Sequence, residues 1–103
     1  MEDDPKAESN VWVVNGSFPL GYIVATPGVE LKVSPADIVR ALARHARGDW
    51  GELCEEDRDA NEMAVTYGGR VVSVYRAEGS GERFYVITEA DRSVTTLLLP
   101  DEY

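Results

Sequence analysis

The stretch RFYVITEADRSVTTLLL, residues 83–99, decides the fold expected for this chain. It contains two runs rich in β-branched and aromatic residues, 83–89 and 93–99, separated by the short polar segment ADR. Such residues favour strands, and a connection this short joins antiparallel neighbours. A third run of the same character, 70–77, precedes them across the turn segment 78–81. The last third of the sequence therefore predicts three strands in an antiparallel meander.

Two helices are predicted before these strands. Ser34 and Pro35 are residue types preferred at a helix N-cap and first helical position, and the helical pattern continues to about Arg47. The segment 54–67 predicts a second, shorter helix that ends at paired glycines. The order of elements predicts an α+β domain, an antiparallel sheet of three to five strands with two helices packed on one face.

The first quarter of the chain predicts further strands and a tail. Residues 1–10 are acidic and polar and are expected to be a disordered tail, with residues 11–103 forming a single domain. Val11–Val14 is strand-like and is followed by Asn15-Gly16, a favoured hairpin turn. The apolar run 18–28 predicts an edge strand or an irregular segment closed by its last three residues, Thr-Pro-Gly.

The charge and the cysteine count exclude several classes of protein. A net charge of -9 opposes general binding to nucleic acid or to anionic membranes, and it favours a protein partner with a basic surface. One cysteine and one histidine are too few for a disulfide or a zinc site. The acidic N-terminus does not resemble a signal peptide, and no apolar run has the length of a membrane span. We expect no cofactor, no metal and a cytoplasmic location.

The single histidine is the first candidate for catalysis. At about 100° per residue, His45 lies on the same helix face as Ile38 and Leu42. One hypothesis makes His45 the general base or acid of a ribonuclease, with a group on the hairpin holding a phosphate or orienting the imidazole. The hairpin residues proposed for this role are Asp91, Arg92 and Thr95. The alternative is structural: His45 completes the apolar face, and a ring nitrogen bonds a C-terminal carbonyl or Asp49. In the structural alternative for the hairpin, Asp91 caps its own backbone and Arg92 pairs with a carboxylate of the acidic segment 49–62.

The acidic segment 49–62 is the second candidate site. It has a local net charge of -6, from seven acidic residues and Arg58. Its candidate interaction residues are Asp49, Trp50, Glu52, Glu55, Glu56, Asp57, Asp59 and Glu62. Trp50 is either a partner anchor or a residue that closes the core. The carboxylates form a contact surface for a basic partner, a weak divalent-metal site, or simply a solvated helix face.

Three blocks of sequence resemble a known group of proteins. The blocks are FPLGYIVATPGV, RHARGDWGELCEEDRDANE and VITEADRSVTTLLLPDEY, so the resemblance covers roughly residues 18–103. They are similar to small bacterial plasmid-related proteins of unknown function, some of which are labelled type I restriction enzyme subunit M. The resemblance implies a bacterial source and a link to mobile elements. The methyltransferase label does not fit, because the chain has no Gly-rich loop for a methyl donor and no Asn/Asp-Pro-Pro-aromatic motif.

A looser similarity concerns the order of elements alone. Helices followed by an antiparallel sheet, with a histidine at a helix end, resemble the barnase, colicin and RelE-type ribonucleases. Three hypotheses follow from the sequence. The first is an accessory or protein-interaction module of mobile-element origin, which the lack of a complete catalytic set favours over an enzyme. The second is a small metal-independent ribonuclease that uses His45. The third is a DNA-mimic inhibitor that uses the acidic segment.

Overall fold

The computed structural model describes residues 17–103, so the predicted tail, the strand-like Val11–Val14 and the Asn15-Gly16 turn lie outside the described residues. The described elements, in chain order, are β1 (Tyr22–Ala25), α1 (Pro27–Lys32), α2 (Pro35–Ala46), α3 (Glu55–Tyr67), β2 (Val71–Arg76), β3 (Arg83–Thr88), β4 (Val94–Leu98) and a final 3₁₀ turn (Pro100–Glu102). The α+β class, the two main helices and the three C-terminal strands are as predicted, with boundaries shifted by about one residue.

The sheet is mixed rather than purely antiparallel. Its strand order is β1-β4-β3-β2, and the β2–β3 and β3–β4 pairs are antiparallel, as their short connections require. β1 pairs with β4 in parallel, so that Tyr22 lies beside Val94 and Ala25 beside Leu97. The antiparallel prediction is wrong for this pair. Three helices and two strands separate β1 from β4, so no local turn sets their relative direction.

A short helix replaces the turn that was predicted after β1. Thr26 is its N-cap, and the hydroxyl accepts a hydrogen bond from the Val29 amide at 3.4 Å. Pro27 then occupies the first helical position, where its missing N–H costs nothing. Ser34 caps α2 in the same way, because its hydroxyl accepts from the Asp37 amide at 3.2 Å, as predicted. Thr-Pro-Gly thus starts a helix here instead of closing a strand.

All three helices pack on one face of the sheet and form the core with it. Val29 of α1, Leu42 of α2 and Ala64 of α3 belong to one buried cluster with inward-facing strand residues. The strand residues of that cluster are Val71, Tyr75, Phe84, Val86 and Leu97. Among residues 17–103, no helix combines the length and the apolar character that are needed to cross a bilayer.

Two sets of contacts cover the outer edge of β2. The Asn61 amide of α3 bonds Val72 twice, donating to its carbonyl at 2.8 Å and accepting from its amide at 3.1 Å. The loop residue Gly51 forms a parallel bridge with Val74, whose amide donates to the Trp50 carbonyl at 3.1 Å. Gly51 has φ +79, and a side chain there would collide with the Val74 carbonyl. This edge therefore offers few free groups to another strand.

Candidate functional site

His45 lies in the centre of the protein and is bonded on both ring nitrogens. It has no exposed surface, and Nδ1 is 2.6 Å from the Ser73 hydroxyl on β2. Nε2 is 2.9 Å from the Thr88 hydroxyl on β3. The Thr88 hydroxyl is 2.6 Å from that of Thr95 on β4, which donates to the Leu20 carbonyl at 2.7 Å. One helix and three strands are thus joined by a continuous chain of hydrogen bonds.

The Leu20 carbonyl at the end of this chain fixes the direction of the hydrogen bonds as far as His45 Nε2. Because a carbonyl only accepts, the Thr95 hydroxyl donates to Leu20 and must accept from Thr88. The Thr88 hydroxyl therefore accepts from His45 Nε2–H. Because burial keeps the ring neutral, Nδ1 is the unprotonated nitrogen and accepts from the Ser73 hydroxyl. The hydrogen-bond pattern and burial together assign His45 as the neutral Nε2–H tautomer.

The electrostatic surroundings keep this imidazole neutral. Burial lowers the pKa of His45 to about 3, with a smaller contribution from the nearby Arg92 cation. The ring also packs edge-on against Phe18 and Trp50, with centroids 5.3 and 6.0 Å away. A general base needs access to the proton that it removes. In this arrangement both nitrogens of His45 are occupied, and the ring has no contact with solvent.

Each of the ribonuclease candidates on the hairpin makes hydrogen bonds that maintain the fold. Thr95 is connected to His45 through Thr88, as described above. Arg92 has the left-handed backbone angle φ 62, and its guanidinium donates to the carbonyls of Gly69 at 2.6 Å and Ala64 at 2.9 Å. These bonds include a carbonyl near the C-terminal end of α3, where a cation is favourable. The interpretation that pairs Arg92 with a carboxylate of the acidic segment is therefore wrong.

Asp91 caps its own turn, as the structural alternative predicted. Its carboxylate accepts from the Ser93 amide at 3.0 Å and from the Ser93 hydroxyl at 2.6 Å. These bonds, the side-chain bond first, hold the pKa of Asp91 below its usual range. Asp91 is exposed, and its carboxylate is directed at Ser93.

Sequence reasoning placed His45 on the correct face but chose the wrong partners. The carboxylate of Asp49 pairs with Arg44 at 2.8 Å, and this hydrogen bond holds the pKa of Asp49 below its usual range. The true partners, Ser73 and Thr88, were not assigned to His45. A signal for them existed, because Ser73 and Thr88 each interrupt the inward-facing apolar positions of a strand.

Half of the predicted interaction residues maintain the fold. Trp50 is buried at 2% exposure and closes the core, and its indole N–H donates to Glu62 at 2.9 Å. Asp49 pairs with Arg44, as described, and its backbone carbonyl accepts from the Tyr75 hydroxyl. Glu52 pairs with Arg76 at 3.0 Å. Asp49, Trp50, Glu52 and Glu62 thus attach the 49–53 loop to α2, α3 and β2.

The other half form an exposed surface on α3. All residues from Glu55 to Ala60 are exposed, and they include the remaining candidates Glu55, Glu56, Asp57 and Asp59. Arg58, the basic residue of this helix, donates instead to the Gly51 carbonyl at 2.8 Å and the Leu53 carbonyl at 3.1 Å. Two large apolar side chains further along the helix are also exposed, Met63 at 58% and Tyr67 at 78%. We call Glu55, Glu56, Asp59, Met63 and Tyr67 the outer face of α3.

The described residues give little support for a metal site or for a pocket that binds a charged ligand. Within residues 17–103, no group of three or more His, Cys, Asp or Glu side chains is placed to hold a metal ion. A cavity of about 100 Å³ lies between α2 and the β2–β3 hairpin, lined in part by Arg40, Arg44 and Arg76. Each of these guanidinium groups already pairs with a carboxylate, those of Asp37, Asp49 and Glu52 respectively. The cavity therefore has little unpaired charge for a ligand.

Comparison of the chain with protein-family models, curated proteins and solved structures gives no significant match.

Proposed function

We propose that this protein is an accessory, protein-interaction module whose outer face of α3 binds a partner with a basic surface. The observation that carries the proposal is the exposure of every residue from Glu55 to Ala60 on a helix that is attached to the sheet only further along. The carboxylates at this end make no contribution to the core. A cytoplasmic location and a mobile-element origin belong to the same proposal.

The outer face combines charge with apolar anchors. At about 100° per residue, Glu56, Met63 and Tyr67 lie within about 40° of one another, and Asp59 and Glu55 lie beside them. The buried residues of this helix lie on other sides of it, Asn61 about 140° and Ala64 about 80° from Glu56. An aromatic and a thioether side chain, bordered by carboxylates, fit a partner that presents lysine or arginine around an apolar pocket.

The charge distribution supports a basic partner over an acidic one. The chain has a net charge of -9, and the positive charge on this helix is directed into the 49–53 loop through the bonds of Arg58. Attraction between the outer face and a basic surface raises the association rate and falls as salt screens it. Met63 and Tyr67 supply apolar burial, which salt does not screen in this way.

The experiment is a comparison of three forms of the full chain as bait. The test variant is Glu55→Gln/Glu56→Gln/Asp59→Asn, and its matched control neutralises three exposed carboxylates elsewhere, Glu30→Gln/Glu78→Gln/Asp101→Asn. Proteins captured from a bacterial lysate at low and high salt are quantified by mass spectrometry. We expect a protein with a basic surface that the wild type and the control capture at low salt and the test variant loses.

A second pair of variants measures how much Met63 and Tyr67 contribute to partner binding, separately from the carboxylates. Met63→Ser/Tyr67→Ser should weaken capture of the same protein at both salt concentrations, whereas Val39→Ser, an exposed change on α2, should not. Equal capture by the test variant and its control would contradict the proposal. Capture of a DNA-binding protein that duplex DNA displaces would instead favour the DNA-mimic hypothesis.

A further inference from the structure

The outer edge of β1 has backbone groups with no partner among residues 17–103. The amides of Tyr22 and Thr26 donate to the Ser93 and Leu97 carbonyls of the neighbouring β4 segment at 3.0 Å. Because successive residues of a strand direct their backbone groups to opposite sides, the N–H and C=O of Ile23 and Ala25 point away from β4. Within the described part of the chain, nothing bonds to them on that side.

The side chains of β1 do nothing to protect this edge. The strand sequence is YIVA, without a charge or a proline, and Tyr22 and Val24 are 61% and 47% exposed. Sheets usually protect an edge with charges, prolines, bulges or a covering segment, because a bare edge is a template for another strand. The opposite edge of this sheet has such a cover in Asn61 and Gly51. Among residues 17–103, the edge of β2 is therefore covered and the edge of β1 is not.

We propose that two copies of this chain associate through their β1 edges, antiparallel across a two-fold axis, to form one continuous sheet. In the register that places Val24 beside Val24 of the other copy, Ile23 of each copy faces Ala25 of its partner. Both residues have outward-facing backbone groups, so each facing pair exchanges N–H···O=C hydrogen bonds. A closed two-fold arrangement of this kind uses the same surface on both copies.

A second copy suits this edge better than an unrelated peptide. The chain has a net charge of -9, yet the paired segment is uncharged, so no like charges meet along the strand. An uncharged strand cannot select a foreign partner by charge. The β1 strand of a second copy, in contrast, has the same length and the same pattern of side chains. On the sheet face away from the helices, the Val24 side chains of the two copies would lie side by side, and Tyr22 of each copy would lie diagonally across from Val24 of the other.

The size of the contact predicts a weak dimer. Two four-residue strands bury much less than the roughly 800 Å² per partner of a standard stable interface. The net charge of each copy also opposes approach at low salt, and added salt screens this repulsion. Dimerisation should therefore increase with protein concentration and with salt, opposite to the salt dependence expected for a partner on the outer face of α3.

The test is sedimentation analysis of the full chain from about 10 μM to about 1 mM, at low and high salt. We expect a dimer fraction that rises with both variables. Val24→Lys places a charge at the two-fold axis and should raise the dissociation constant at least about 10-fold, because like charges then face each other across strands. The matched control Val39→Lys, exposed on α2, should dimerise like the wild type.

Amide hydrogen exchange tests the register without any substitution. The Ile23 and Ala25 amides should become protected as concentration rises, while the Val24 amide, directed at β4, should be protected throughout. A monomer at the highest concentration and salt overturns the proposal, as does a dimer that Val24→Lys leaves unchanged. A chain that dimerises only after residues 1–16 are removed would also overturn it, since that residue range would then occupy the edge.

Discussion

The two long helices cover the same sheet face, yet they use their polar residues in opposite ways. α2 buries five residues, among them His45, whereas α3 buries two, Asn61 and Ala64. On α2, His45 is hydrogen-bonded at both ring nitrogens and has no exposed surface. On α3 the carboxylates of the first turns are exposed. A buried polar group is constrained by the fold, whereas an exposed group that the fold does not use is free to bind a partner.

The largest effect should come from removing the histidine. His45→Ala leaves a cavity and deprives the Ser73 and Thr88 hydroxyls of their partner, so it should lower the free energy of unfolding by about 3 kcal/mol or more. Urea unfolding followed by circular dichroism measures the change. Val39→Ala, on the exposed side of the same helix, should change the stability by about 0.5 kcal/mol or less. Similar losses in the two variants would show that His45 is not central to the core.

Acidification should lower the stability of the protein through the same histidine. Its pKa is lowered to about 3 in the folded state, and the unfolded chain takes up the proton below about pH 6.5. Stability is therefore complete above the unfolded pKa and falls as the pH falls towards the folded pKa, by about 2 kcal/mol between about pH 7 and pH 5. Carboxylates such as Asp49 have lowered pKa values and contribute mainly at lower pH.

A variant without an imidazole distinguishes the loss of stability caused by His45 from that caused by other titrating groups. His45→Gln retains one acceptor and one donor for Ser73 and Thr88 but does not titrate. The difference in stability between wild type and His45→Gln should therefore shrink as the pH falls from about 7 to about 5. A difference that stays constant over this range would contradict the neutral, buried state of His45.

Removing Asn61, the polar side chain that α3 buries at the sheet edge, should have a smaller effect than removing His45. Asn61→Ala removes both hydrogen bonds to Val72 and should lower the free energy of unfolding by about 2 kcal/mol. Hydrogen exchange at the Val72 amide should accelerate beyond the change that the lost global stability explains. Ala60→Gly, next to it but exposed, is the control and should cost about 1 kcal/mol through helix propensity alone. A loss for Asn61→Ala no larger than this control would count against the edge role of Asn61.

The smallest effect on folding should come from the outer face of α3. Glu55→Gln, Glu56→Gln and Asp59→Asn should each change the stability by about 0.5 kcal/mol or less, because exposed charges contribute little. Thermal unfolding of the triple variant measures this. A large loss of stability would show that these carboxylates serve the fold, and it would remove the contrast between α2 and α3.

Local patterns in the sequence were sufficient for most elements. Ser34-Pro35 marked the start of α2, and helical periodicity placed His45 with Leu42 on the core side. Both predictions succeeded because a cap and an apolar stripe depend on residues within one or two turns. The short helix α1 escaped prediction, because Thr-Pro-Gly is equally typical of a turn and of a capped helix start.

Contacts between distant segments explain the remaining errors. The parallel β1–β4 pair joins residues that are far apart in the chain, and so does the contact of His45 with Ser73 and Thr88. The sequence also predicts that the acidic segment forms one surface. In the structure, Trp50 of the 49–53 loop donates to Glu62 of α3, and the carboxylates at the start of α3 are exposed. A carboxylate forms a hydrogen bond within the protein only if the fold places a basic or N–H group beside it. Periodicity along the sequence does not encode that position.

By itself the sequence determined the α+β class, the two main helices, the three-stranded meander and the inward direction of His45. These follow from local propensity and from the two periods, of about 3.6 and 2 residues, that separate buried from exposed positions. Only the tertiary structure decided that β1 runs parallel to β4, that His45 is a neutral tautomer between Ser73 and Thr88, and that α3 keeps its acidic outer face exposed. The physical reason is that hydrogen-bond partners and strand direction depend on which distant segments meet, and burial against those segments sets the protonation state.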